Sequence, residues 1–159
     1  MKISILVEQR RVSLNRKAIA EIASSLATHA ETHSPQNLRP WREVTIHLVD
    51  NEGIAPIHQA ILEDDTVTDV ITQRYDPLPG EPDGLQGELF VNAERAVEVA
   101  ATRAKWSPDQ ELALYIAHGC DHLSGADDAT PAEYNRMRRR ELRWLRECGI
   151  QSGSLVRGS

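Results

Sequence analysis

Hydrophobic and polar residues alternate in four short stretches of the chain, and a period of two is typical of β-strands with one buried face. In the first stretch, Ile3, Ile5 and Val7 fall on one face. The third stretch is rich in β-branched residues, which also favour strands. The alternation predicts strands over residues 2–8, 44–49, 66–74 and 85–91.

Five other stretches carry apolar residues every three or four positions, and capping residues stand where each begins, so they are predicted helices. In the first of them, Ala18, Ile22 and Leu26 form one apolar stripe. The predicted helices begin after Ser13 or Asn15, after the N-cap Asn51, at residue 93, at Pro108 after the N-cap Ser107, and at Pro131 after the N-cap Thr130. They end near residues 31, 61, 104, 122 or 123, and 148.

This order of elements indicates an α+β domain in which about five helices pack on a small, mixed, four-stranded sheet. Pro-bearing polar stretches at residues 33–40 and 76–84 are predicted loops. We expect one domain over residues 1–150, followed by a flexible Gly/Ser-rich tail over residues 151–159.

The fourth predicted helix carries His118 and His122, four residues apart and therefore one turn apart on the same face. Imidazoles at this spacing can bind one Zn²⁺. Gly125 is expected to end the helix, so that Asp127 or Asp128 can return to the same point. Two histidines and a carboxylate leave a position for water, as in catalytic zinc sites, and Fe²⁺, Mn²⁺ and Ni²⁺ suit the same ligands. We therefore expect a metal site at the C-terminal end of this central helix.

Two comparisons limit this interpretation. His29 and His33 have the same spacing, but their polar surroundings offer no helix stop and no returning acid, so we expect a solvated surface pair. In zinc peptidases with an H-E-x-x-H motif, a general-base glutamate follows the first histidine. Gly119 stands at that position here, which disfavours peptide hydrolysis by this mechanism.

The overall composition limits the partners. The net charge of −6 excludes a uniformly basic nucleic-acid binder. No apolar run is long enough to span a membrane and the first residues do not resemble a signal peptide, so a cytoplasmic location is expected. Cys120 and Cys148 are too few for a disulfide framework and are expected to be reduced. Cys120 lies away from the histidine face, so we expect a buried thiol rather than a metal ligand.

Positive charge is concentrated in the last predicted helix, where six arginines and one glutamate lie between Arg136 and Arg146. Their spacing of three or four predicts a stripe made of Arg136, Arg139, Arg140 and Arg143. Two interpretations stay open. The stripe is either a solvated face that pairs with the protein's own acids, or a contact to RNA or the ribosome in which Arg139 binds phosphate.

Residues 118–127 (HGCDHLSGAD) resemble the H-G-x-L-H-L-x-G-Y-D-H signature of the YbeY family, bacterial zinc-dependent endoribonucleases linked to rRNA maturation. Residues 68–71 (TDVI) resemble the T-D-V-L-S-F strand of that family, and residues 87–91 (GELFV) resemble its L-G-D-I-V-I strand. The resemblance implies a zinc ion held by His118, His122 and Asp128, the last in place of a family histidine. It also implies a single-strand endoribonuclease in rRNA maturation and ribosome quality control, with no DNA specificity.

One departure from the family keeps two alternatives open. The family has a functional arginine six residues before T-D-V, and this position is Leu62 here, followed by three acids at residues 63–65. Acids at this place repel an RNA backbone, which leaves Arg74 as the candidate phosphate contact. The alternatives are a metal-binding, ribosome-associated homologue with lost or altered catalysis, and another metal-dependent hydrolase.

Overall fold

The computed structural model describes residues 1–34 and 40–158, and within them nine elements follow one another in the predicted order. The strands are β1 (Lys2–Val7), β2 (Trp41–Val49), β3 (Val70–Tyr75) and β4 (Leu85–Asn92). The helices are α1 (Arg16–His33), α2 (Asn51–Leu62), α3 (Ala93–Ala100), α4 (Pro108–Leu123) and α5 (Pro131–Cys148). Residues 35–39 of the predicted loop lie outside the described residues.

The four strands form one mixed sheet in the order β1-β2-β4-β3. β2 is parallel to β1 and to β4, whereas β3 runs antiparallel to β4 and forms an edge of the sheet. The buried residues Val44, Ile46 and Leu48 of β2 alternate with less buried ones, as the period of two predicts. The predicted α+β class is confirmed.

Helix α4 packs against α1, α3, α5 and the sheet, and most of its side chains are buried. Its N-terminus is a capping box, since the Ser107 hydroxyl accepts from the Gln110 backbone N–H while the Gln110 side chain accepts from the Ser107 N–H. Pro108 occupies the first turn, as predicted. The candidate histidines near the other end of α4 therefore stand on an enclosed, well-anchored helix.

Several boundaries differ from the predictions, among them the start of β2 at Trp41 rather than at residue 44, and at two of them side chains bond to nearby backbone. β3 begins at Val70 rather than at residue 66, since the Asp64 carboxylate accepts from the Thr66 N–H and holds this segment in a turn. The N-cap of α2 is Asp50 rather than Asn51. Helix α3 ends at Ala100, four residues before the predicted end at residue 104.

Part of the C-terminal segment, which was expected to be flexible, packs into the core at Leu155 and Val156. Leu155 and Val156 are 0% and 4% exposed and belong to the main core. The buried Asp109 carboxylate accepts the backbone N–H groups of Gly153, Leu155 and Val156 at 3.0, 2.7 and 2.8 Å. The Gly/Ser composition suggested a loose tail because the partner of these N–H groups lies on a distant helix.

Candidate metal centre

The last turn of α4 and the chain that follows it bring three candidate ligands together. Helix α4 ends at Leu123, and Gly125 adopts a left-handed φ of 97°, a conformation that glycine adopts without strain. The backbone then folds back, with the Ala126 N–H donating to the Asp121 carbonyl. The turn brings Asp128, one of the two acids considered from the sequence, beside His118 and His122.

Hydrogen bonds define which nitrogen of each histidine faces the centre. The Nδ1 of His122 donates to the Ala126 carbonyl at 3.1 Å, because a carbonyl can only accept. The Nδ1 of His118 donates to the Glu141 carboxylate at 2.9 Å. In the neutral imidazoles both Nε2 atoms therefore present lone pairs, and they face each other at 3.1 Å. Two imidazole nitrogens and the Asp128 carboxylate oxygen thus converge as a set of donors that can hold a cation.

The spacing of the three donor atoms suits a tetrahedral ion. The Asp128 Oδ2 lies 3.5 Å from His118 Nε2 and 3.4 Å from His122 Nε2. Ligands 2.0–2.1 Å from a tetrahedral Zn²⁺ stand about 3.3–3.4 Å apart, close to all three separations. Within the described residues, no other group of three His, Cys, Asp or Glu side chains brings its ligand atoms within 4.8 Å of one another.

Asp127, the alternative third ligand, is engaged elsewhere. Its Oδ1 accepts from the Ala129 backbone N–H at 3.1 Å, as in an Asx turn. The donor group of the site includes Asp128 and not Asp127. The observed geometry therefore favours Asp128.

Glu141 on α5 supports the site, a role that no local sequence pattern indicated. Its carboxylate is fully buried and holds His118 through Nδ1, the arrangement of a carboxylate–histidine–metal triad. Burial alone would lower the pKa of His118, but the hydrogen bond and charge of Glu141 outweigh burial and raise it. Glu141 lies 23 residues from His118 along the chain, and only the packing of α5 on α4 brings them together.

Gly119 explains why no general-base glutamate follows the first histidine. A Cβ atom built on Gly119 would lie 2.9 Å from both terminal carbons of Leu89 and 3.3 Å from Val70 Cγ2. The position faces the sheet at close approach, so a longer side chain would separate α4 from β4. The metallopeptidase arrangement is thus sterically disfavoured here, in agreement with the sequence interpretation.

The three candidate ligands line a cleft of about 470 Å³ along the edge strand β3. Arg74 of β3 lines the same cleft, and its Nη2 lies 3.3 Å from Asp76 Oδ1. Leu62 also lines it and is 60% exposed, whereas none of the three acids at residues 63–65 does. Asp69, a residue not singled out from the sequence, adds a second carboxylate to the wall.

The other singled-out residues lie away from the cleft. Arg139 is exposed on α5 and does not line it. Arg140 was predicted to share a stripe with Arg139, but it turns inward and pairs with the buried Asp121 through two nitrogens, the nearest contact being 2.8 Å. Cys120 is fully buried, as expected, and burial raises the pKa of its thiol to about 12.

No helix among the described residues has both the length and the apolar character needed to cross a membrane. The three-residue donor group can hold a metal ion.

The sequence matches the family described as Endoribonuclease YbeY over residues 4–149. A relative of that name from Rhodopirellula baltica is 37% identical over 109 residues, which are 68% of this chain but only 55% of the relative. The relative from Protochlamydia amoebophila is 36% identical over 103 residues, covering 65% of this chain and 68% of its own. The relative from Chlamydia caviae is 29% identical over 147 residues, which cover 88% of this chain and 89% of the relative.

The fold has a solved counterpart in the solution structure of TM1509 from Thermotoga maritima. The TM-score is 0.56 at 20% identity, over 92% of this chain and 91% of the other. The name shared by the sequence relatives supports the predicted endoribonuclease class, with RNA as the substrate. The chain belongs to the YbeY endoribonuclease family, as its H-G-x-x-H and T-D-V motifs predicted.

Proposed function

We propose that this protein is a zinc-dependent endoribonuclease that cleaves single-stranded RNA during rRNA maturation and ribosome quality control, with the ion held by His118, His122 and Asp128. The observation that carries the proposal is the convergence of two Nε2 lone pairs and one carboxylate oxygen at separations of 3.1 to 3.5 Å. The proposal places the protein in the cytoplasm, with RNA and the ribosome as its partners.

The residues of the chain divide the work in the cleft. A divalent ion bound there supplies positive charge to the scissile phosphate and acidifies water. Glu141 and the Ala126 carbonyl hold the two imidazoles in the orientation that such an ion needs. In this proposal Arg74, which lines the cleft, pairs its guanidinium with a phosphate oxygen, in place of the arginine that the family carries at the position of Leu62.

Asp76 restrains the Arg74 contact. The Arg74 Nη2 lies 3.3 Å from Asp76 Oδ1, and Asp76 is well exposed, so a phosphate can compete for the guanidinium. Arg74→Ala is expected to raise the KM for RNA and to leave the bound metal unchanged. Unchanged kinetics in that variant would remove Arg74 from the substrate site.

One experiment tests the activity as a whole. The purified protein is analysed for bound metal and then incubated with unpaired and structured RNA, with and without a chelator. Cleavage that the chelator abolishes and added Zn²⁺ restores is the expected result. Metal and tight RNA binding without cleavage would instead indicate a ribosome-associated homologue that has lost catalysis, the second candidate that Leu62 motivates. Metal with neither RNA binding nor cleavage would indicate a different metal-dependent hydrolase.

The ends of the products distinguish two chemical routes. If water attacks phosphorus directly, the first products carry no cyclic phosphate. If the neighbouring 2′-hydroxyl attacks, a 2′,3′-cyclic phosphate forms and the 5′-hydroxyl leaves. Mass spectrometry of early products decides between the routes, and either result is compatible with the three-ligand site.

A further inference from the structure

The outer face of α5 carries four exposed arginines, Arg136, Arg139, Arg143 and Arg146, which we name the arginine stripe. Steps of three or four residues place them in one row along the helix. The row extends about 15 Å, from ten residues at a rise of 1.5 Å each. The stripe therefore forms a linear array of guanidinium groups on a solvent-facing surface.

The two remaining arginines of α5 are occupied by buried acids. Arg140 forms its close ion pair with Asp121, and the Arg138 Nε lies 3.7 Å from the Glu141 carboxylate. In the stripe, Arg143 approaches Glu147 at 4.0 Å, and both side chains are about half exposed, so this pair contributes little. In the part of the chain that the structure describes, Arg136, Arg139 and Arg146 form no salt bridge. The stripe is thus available to an external anion.

The metal cleft, in contrast to the stripe, carries few cationic side chains. Asp69 and Asp128 line it, and among the described residues that line it Arg74 is the one arginine or lysine, with Asp76 beside it. The chain as a whole carries a net charge of −6. RNA owes much of its affinity for proteins to pairing of phosphates with arginine and lysine. Apart from the proposed ion, this cleft offers one guanidinium, so a cationic surface elsewhere on the protein would add to the affinity for an RNA substrate.

We propose that the arginine stripe binds backbone phosphates of the RNA outside the segment that enters the metal cleft. The inference rests on the proposed endoribonuclease function. A guanidinium can bind a phosphate through two parallel N–H donors, whereas a lysine ammonium acts as a point charge. A row of arginines is therefore well suited to binding phosphates. The two aromatic residues of α5 do not offer a stacking surface in the stripe, because Trp144 is buried and Tyr134 lies under the Arg138 guanidinium. Binding is therefore through phosphates and independent of base sequence.

The dependence of RNA affinity on salt tests this proposal. The metal-loaded protein is titrated with a 2′-O-methyl RNA, checked to be intact afterwards, in an unpaired and a hairpin form, over a range of salt concentrations. Each phosphate contact adds about 0.7 to the slope of log affinity against log salt for a single strand, and about 0.9 for a duplex. The stripe binds either the unpaired RNA or the hairpin RNA. For that RNA, the double variant Arg139→Ala/Arg146→Ala is expected to have a slope that is shallower by the amount of about two phosphate contacts.

A matched variant removes the same charge from another surface. Arg10 and Lys17 are exposed cations outside α5, and Arg10→Ala/Lys17→Ala is expected to change the slope far less. An unchanged slope in the α5 variant, or an equal change in both variants, would overturn the proposal. Polyglutamate serves as a probe for an acidic protein partner. If the α5 variant loses binding to polyglutamate but keeps its binding to RNA, the stripe contacts an acidic protein and the proposal is overturned. Cleavage of a short unpaired RNA by the unmodified protein, with and without chelator, tests the proposed function separately.

Discussion

The chain contains two pairs of histidines with the same spacing on two helices, and only one pair is arranged to hold a metal. His118 and His122 direct their Nε2 atoms at each other at 3.1 Å. His29 and His33 instead pack around the indole of Trp144, at ring-centroid distances of 6.0 and 6.3 Å. The spacing of four brings each pair to one helix face, but it does not determine what the rings do there.

The difference lies in what holds the other ring nitrogen and what returns to the pair. Glu141 and the Ala126 carbonyl fix both rings of the first pair, and the turn after α4 supplies Asp128. In the second pair His29 approaches Glu147 at 3.4 Å with both groups partly exposed, and no third donor joins them among the described residues.

The electrostatic environments of the two pairs also differ. Burial, followed by the charge of Arg140, lowers the pKa of His33. Glu141 raises the pKa of His118 despite burial. A metal site thus needs both a spacing in the sequence and buried partners that orient the rings.

Removal of one ligand is the change with the largest expected effect. His122→Ala removes one of three donors and leaves a pair that no longer encloses the ion, so metal content and RNA cleavage are both expected to be lost. His33→Ala removes a histidine of equal spacing from the other pair and is expected to retain both. Elemental analysis and chelator-sensitive cleavage measure the two properties. Full metal occupancy in His122→Ala would reject the assigned site.

The third ligand is tested by a neighbouring pair of acids. Asp128→Asn replaces an anionic donor with a neutral amide and is expected to weaken metal binding by more than the about 10–100-fold typical of outer residues. Asp127→Asn alters only the carboxylate that accepts from the Ala129 N–H and is expected to bind metal normally. Competition with a coloured chelator gives both dissociation constants. If the two variants lose affinity in the opposite order, Asp127 is the ligand.

The change with the next largest expected effect on metal affinity is the loss of Glu141, which orients His118. Glu141→Gln keeps the shape but removes the charge that orients His118, so metal affinity is expected to fall about 10–100-fold. Glu147→Gln, the equivalent change beside His29, is expected to leave affinity unchanged. Glutamine can still accept the Nδ1 hydrogen, whereas Glu141→Ala cannot, so the loss in the alanine variant should be larger. Equal affinities in Glu141→Gln and the unmodified protein would deny Glu141 a positioning role.

Patterns that extend over a few residues were enough to predict the nine elements and to single out His118 and His122 as candidate ligands. The candidate third ligand was narrowed to Asp127 or Asp128, because Gly125 marks a helix end and these acids follow it closely. These features are local: the period of two, the spacing of four and the caps act within a few residues. The family resemblance then selected Asp128, and the observed geometry favours the same residue.

The features that sequence reasoning missed depend on packing between distant segments. Whether an acid of α5 reaches His118 depends on the rotation of α5 against α4, which places Glu141 inward and sends Arg140 to Asp121. The same applies to Asp109, whose buried carboxylate holds backbone N–H groups more than forty residues away. No local pattern carries this information, which explains why the C-terminal segment was expected to be flexible.

The smallest expected effect belongs to the second histidine pair. His29→Ala removes a ring that stacks on Trp144 at an interplanar angle of 14°. Because the His29 side chain is 34% exposed, its loss should lower the free energy of unfolding by no more than about 1 kcal/mol. Metal content should not change, since no donor of the site is touched. Chemical denaturation measures the first quantity and elemental analysis the second. A loss of metal in His29→Ala would mean that α1 helps to position the ligands through α5, and the two pairs would then be coupled rather than independent.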